Sequence, residues 1–159
     1  MTTEAYKTTI EKLADLEAMV GQEMGLSNWV DITQEKINLF GKLTEDEQWI
    51  HVDPDMSAKH SPYKTTIAHG FMVLSLASRF AYDTMQVNDV VMGVNYGLDR
   101  VRFMNHTPVN SKLRGRVVLT DFETKERGAR YKVTITFELD GIEKPACVAE
   151  FIAMAYTAG

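Results

Sequence analysis

The chain is nearly without cysteine, with one residue, Cys147, in 159. An intramolecular disulfide is therefore impossible, and metal sites built from cysteine clusters are excluded. Positive charge is also scarce, with 17 Lys plus Arg against 22 Asp plus Glu and a net charge of −5. That balance argues against nucleic acid or an anionic membrane as a bulk partner, because both are bound through an excess of basic side chains. It leaves room for a small basic patch directed at a phosphorylated ligand. No apolar run approaches membrane-spanning length, and the opening Met-Thr-Thr-Glu-Ala-Tyr-Lys lacks an apolar signal core. The cytoplasm is the expected compartment. Proline is rare too, and two of the four, Pro54 and Pro62, fall in one polar stretch.

What is present is ordinary globular material, 45% hydrophobic and 25% charged over 18.0 kDa. With no internal repeat or linker, one domain over residues 1–159 is expected. Ile10, Leu13, Ala14, Leu16 and Val20 recur at roughly helical spacing ahead of Gly21, which predicts an N-terminal helical extension over about residues 1–28. Trp29 to Ile32 reads as a short strand, with Asp31 or Thr33 capping a helix that carries Ile37, Phe40 and Leu43 on one face. Residues 51–66 hold Pro54, Pro62 and several Asp and Ser, the composition of a loop with at most one helical turn. Residues 67–82 are apolar on most sides, as a helix buried on most sides must be. Four strands follow over residues 94–103, 114–122, 131–139 and 146–156. The third alternates cleanly, and Asp140-Gly141 marks a hairpin after it. The class is α+β, with an antiparallel sheet around one buried helix.

Two segments carry chemistry. Asp46-Glu47-Gln48-Trp49-Ile50-His51 places a carboxylate and an imidazole five positions apart, and Ala68-His69-Gly70 opens the buried helix with a glycine in its first turn. A carboxylate and an imidazole can move protons, and backbone N–H groups at a helix start can hold a developing negative charge. Each feature has a plainer alternative. Thr44 and Glu47 have the spacing of a capping box, in which Asp46 merely favours a helix start. Gly70 could serve only tight helix packing, Ser78 could bond a carbonyl one turn back, and His69 could be a satisfied core histidine. His51, Asp53, Asp55, His60 and His69 are ligand types, but no recognised spacing joins them, so no metal is expected.

The run from Asp46 to Pro54, with Thr66-Ile67-Ala68-His69-Gly70-Phe71 after it, resembles the MaoC-like hydratases. These are (R)-specific enoyl-CoA hydratases of the hotdog fold, including the branch named after the nodulation protein NodN. Residues 95–103 and 144–150 are similar to that branch as well, so the likeness spans about residues 16–156. The resemblance implies a single hotdog, a sheet curled around the helix of residues 67–82, that dimerises side by side with a second copy. It implies Asp46 as the base on a water and His51 as the acid towards the α carbon of a trans-2-enoyl thioester. It implies Gly70 as the oxyanion donor, with His69 and Ser78 lining the substrate site. Arg100 and Arg102 could meet the phosphates of coenzyme A. No cofactor is implied, since an acyl-CoA or acyl-carrier-protein thioester is the substrate, and fatty acid metabolism is the expected setting. A hotdog thioesterase and a non-catalytic acyl-thioester-binding subunit are the competing readings.

Overall fold

A computed structural model describes residues 3–158. Eight strands form one sheet: β1 (Tyr6–Ile10), β2 (Glu23–Leu26), β3 (Val30–Asp31), β4 (Met85–Val87), β5 (Val90–Phe103), β6 (Lys112–Lys125), β7 (Gly128–Leu139) and β8 (Ile142–Thr157). Their order is β4-β1-β2-β6-β7-β8-β5, with β3 added beside β6. Every pairing is antiparallel except β1 with β4. The period-two pattern of β7 does what such a pattern must. Val133, Ile135, Phe137 and Leu139 are buried on one face, and Leu113, Val117 and Leu119 of β6 bury the matching one. Gly141, at φ 72°, makes the turn into β8 that Asp140-Gly141 signalled.

The buried helix is in two pieces, α4 (Gly70–Ser75) and α5 (Ala77–Thr84). They meet at Leu76, whose N–H reaches the Val73 carbonyl in a tightened turn. Ser75 donates its hydroxyl to the Met72 carbonyl at 2.6 Å in the same turn. Phe80 of α5 is fully buried and meets Phe137 edge-on at 5.5 Å. The sheet closes on it so tightly that Gly115 of β6 leaves no room for a β carbon, which would stand 2.5 Å from Phe80. Ile67 and Ala68 do not join the helix. They run extended, and Ile67 forms a bridge with Pro108.

Among the described residues, the expected N-terminal helical extension is helical only in part. Residues 6–10 form β1, and Leu13–Met19 is a 3₁₀ helix ended by Gly21 at φ 92°, with β2 beyond it. Leu13 and Leu16, both buried, are three residues apart, a spacing that a 3₁₀ turn serves as well as an α-helix. Ile10 belongs instead to the alternation Tyr6, Thr8, Ile10, which is the more buried face of β1. Thr33 does cap α1 (Gln34–Thr44), accepting from the Lys36 N–H. The expected loop after His51 is largely helical. After the single turn of α2 (Trp49–Val52), Asp53 accepts from the Met56 N–H and Pro54 takes the first position of α3 (Pro54–His60). Proline there starts a helix, because its missing N–H would have had no partner.

Candidate active site

Asp46 lies just past the end of α1. Thr44 closes that helix by donating its hydroxyl to the Phe40 carbonyl at 2.8 Å, and Glu45 turns the chain in the left-handed region at φ 59°. Thr44 is thus a helix end and not the cap of a new helix, which removes the capping-box alternative. The segment then rises into α2, which carries His51 with 7% exposure.

His51 reaches across to the second segment. Its Nδ1–H donates to the Ile67 carbonyl at 2.7 Å, while the Ile67 N–H donates back to the Ile50 carbonyl at 3.0 Å. Nε2 is left as the nitrogen with an available lone pair. His69 makes the reverse reach: its Nε2–H donates to the Asp46 carbonyl at 2.8 Å. The two imidazoles stack, centroids 3.8 Å apart and planes 25° from parallel. Burial, first of all, holds His51 below the ordinary histidine value of 6.5, and the Ile67 and Asp46 contacts offset this only in part. At neutral pH His51 is therefore an uncharged base.

A cleft of about 470 Å³ opens beside this group, lined by His51, Ala68, Gly70, Val73, Phe103 and Ala146 among others. Tyr63 and His106, from separate loops, also line it and stack on each other at 4.4 Å. The cleft joins an imidazole, the first backbone N–H of α4 and an apolar wall. Gly70 opens towards the cleft: a β carbon there would meet the Phe103 ring at 3.3 Å.

Other expected residues fall elsewhere. Ser78 accepts a hydrogen bond from the Asn95 amide at 3.3 Å and lines a separate hollow with Leu74, Leu98 and Phe151. Neither Asp46, which is exposed, nor His69, 3% exposed, is among the cleft's lining residues, and His69 faces the Asp46 backbone. Arg100 and Arg102 are exposed on β5, outside the lining, although Phe103 on the same strand is part of it.

Ligand-type atoms of Asp46, His51 and His69 lie within 4.8 Å of one another, a grouping the sequence spacing did not suggest. It is a poor metal chelate. A metal lies in the plane of each ring it binds. Two stacked rings direct their remaining lone pairs side by side instead of at one point.

Two supporting residues escaped the sequence reading. Gln34, the first residue of α1, donates to the His51 carbonyl at 2.7 Å and accepts from the Thr66 hydroxyl at 2.5 Å. Gly41 of α1 makes room for the group. A β carbon there would stand 3.0 Å from the Asp46 carbonyl oxygen and 3.5 Å from the His69 ring.

The chain is similar to known proteins. The MaoC like domain matches residues 15–140. The 3-hydroxyacyl-thioester dehydratase Z of Mycobacterium tuberculosis is 47% identical over 145 residues, covering 91% of this chain and 95% of that protein. Nodulation protein N of Rhizobium leguminosarum is 44% identical over 146 residues, 89% of each. Among solved structures, the unliganded R-hydratase of Pseudomonas aeruginosa superposes with a TM-score of 0.75 at 20% identity, over 92% of this chain and 86% of that one. That likeness is one of fold, the hotdog. The chain belongs to the MaoC-like dehydratase family.

Proposed function

We propose that the protein adds water to trans-2-enoyl thioesters to give (R)-3-hydroxyacyl thioesters, or runs the reverse dehydration, with coenzyme A or an acyl carrier protein holding the acyl group. The observation that carries this reading is the approach of the Asp46 carboxylate to within 4.8 Å of His51, which lines a cleft together with Gly70. Hydration requires a water to lose a proton as its oxygen bonds to C3, and C2 to gain one. The Asp46–His51 pair holds the water, takes the first proton and returns one to C2, ending the cycle unchanged. Asp46 is assigned as the base on that water and His51 as the donor to C2, and an uncharged His51 takes up a proton relayed through the pair before it donates one. The thioester oxygen gains enolate character, and the Gly70 N–H is assigned to hold it. No cofactor is needed beyond the carrier already bonded to the acyl group. Arg100 and Arg102 are proposed as contacts for the carrier's phosphates, on their charge and their place beside Phe103.

Crotonyl-CoA tests this directly. Loss of the enone absorbance without thiol release is expected, with (R)-3-hydroxybutyryl-CoA as product. Thiol release would make the protein a thioesterase, and neither signal would make it a binding subunit. Asp46→Asn should fold normally and lose about 10²–10⁴-fold in turnover, the usual weight of an acid–base group. Near-normal turnover would remove Asp46 from the chemistry.

A further inference from the structure

The two imidazoles form a reciprocal clasp. His51 from the first segment bonds a carbonyl of the second, and His69 from the second bonds a carbonyl of the first. The bond to Asp46 is the more consequential, because little else holds that residue. Asp46 is exposed and follows a left-handed turn at Glu45, and α2 begins only at Trp49. A carboxylate on such a segment would sample many positions unless its backbone were fixed. The His69 Nε2–H fixes it at the carbonyl one bond from the Asp46 α carbon, at 2.8 Å.

His69 is itself held firmly. It is 3% exposed, stacked on His51, flanked by the Phe40 ring at 5.0 Å and seated where Gly41 leaves space. It is also the residue immediately before Gly70. One rigid side chain thus ties the Asp46 backbone, the His51 ring and the start of α4 into a single body.

We infer that His69 is a positioning residue, whose Nε2–H holds the Asp46 backbone so that its carboxylate stands beside His51. This rests on the hydratase reading above and assigns His69 a role through Asp46, with no contact to substrate. Catalysis of this kind loses about 10²-fold when a reacting group is misplaced by 1 Å. The loss falls on the chemical step, because the His69 ring is committed to the Asp46 carbonyl and to the stack on His51.

Two substitutions separate the hydrogen bond from the packing. His69→Gln keeps an N–H donor at nearly the position of Nε2 but gives up the ring. His69→Phe keeps a ring against His51 and Phe40 but has no donor. The assay is hydration of crotonyl-CoA by the full chain, with thermal melting of each variant alongside. The expected result is kcat within about threefold of wild type for His69→Gln. For His69→Phe, kcat should be down about 10²-fold at unchanged KM. An active Phe variant, or a Gln variant that loses as much as the Phe variant, would overturn the assignment. If His69→Phe does not fold, His69→Gln decides alone, retained kcat supporting the role and a 10²-fold loss rejecting it. Wild-type protein that hydrates nothing would instead reject the hydratase reading itself.

Discussion

At the scale of the residue, the environment of His51 has a consequence that titration can read. Burial keeps the imidazole uncharged below its ordinary value of 6.5, so the acid limb of kcat/KM should lie below that value. The sign for stability follows. Below 6.5 the unfolded chain takes up a proton that the folded His51 resists, so stability should fall on acidification through that window and recover above it. Urea unfolding of wild type and His51→Gln between pH 5 and 7 checks this, and the variant should show the smaller pH dependence. Gly70 carries the second prediction at this scale. Valine there costs under about 1 kcal/mol in helix propensity, yet its branched side chain must push against the Phe103 ring in the cleft. Turnover of Gly70→Val should drop by about 10²–10³-fold, as for a lost oxyanion donor, because the side chain blocks the thioester from an N–H that valine keeps, with little change in melting temperature. Normal turnover in a folded variant would move the oxyanion site away from this helix.

At the scale of the element, the molecule depends on how closely α5 lies against β6. Phe80 fills the space above Gly115, and an added methyl would stand 2.5 Å from it. Gly115→Ala should therefore destabilise the protein by about 1–3 kcal/mol through overpacking, read as a lower urea midpoint. An unchanged midpoint would mean that β6 can shift away from the helix. On the other face of the sheet, Arg116 bonds Glu138 at 2.7 Å and Glu23 at 3.0 Å, and Arg114 shares Glu138 at 2.7 Å. Tyr6 donates to Glu23 at 2.5 Å, and its phenol is pushed up to about 12, first by burial and then by that bond. The cluster joins β1, β2, β6 and β7 through side chains, giving short strands such as β1 and β2 a hold that their length alone would not supply.

For the whole molecule the open question is the edge at β5. The strand has 14 residues and pairs only with β8 among the described residues, and most of its side chains are exposed. Val91 is 67% exposed and Tyr96 65%, with Phe71 of α4 at 72%. A long unpaired edge with large apolar side chains is a pairing site, and two copies meeting edge to edge would join their sheets into one. Light scattering at micromolar protein should give the mass of a dimer, and Tyr96→Lys with Val94→Lys should shift it towards monomer. A fully active wild-type monomer at that concentration would reject the arrangement.

The sequence by itself determined the elements whose signal is local. The alternation of β7, the Asp140-Gly141 turn, the Thr33 cap and the buried helix could each be read from a few neighbouring residues, because each rests on periodicity or turn chemistry. The Asp46 and His51 motif was legible for the same reason. Tertiary structure decided what depends on distant partners. β1 and β4 are strands of five and three residues that pair across some 75 positions, too short to display a period against the helical spacing that Ile10 appeared to continue. Ser78 was expected to line the substrate site with Gly70, but it lies beside Asn95 in a separate hollow. The clasp of His51 and His69 was hidden most completely. Both of its hydrogen bonds end on backbone carbonyls, which every residue possesses, so no side-chain pattern could have marked Asp46 and Ile67 as the acceptors.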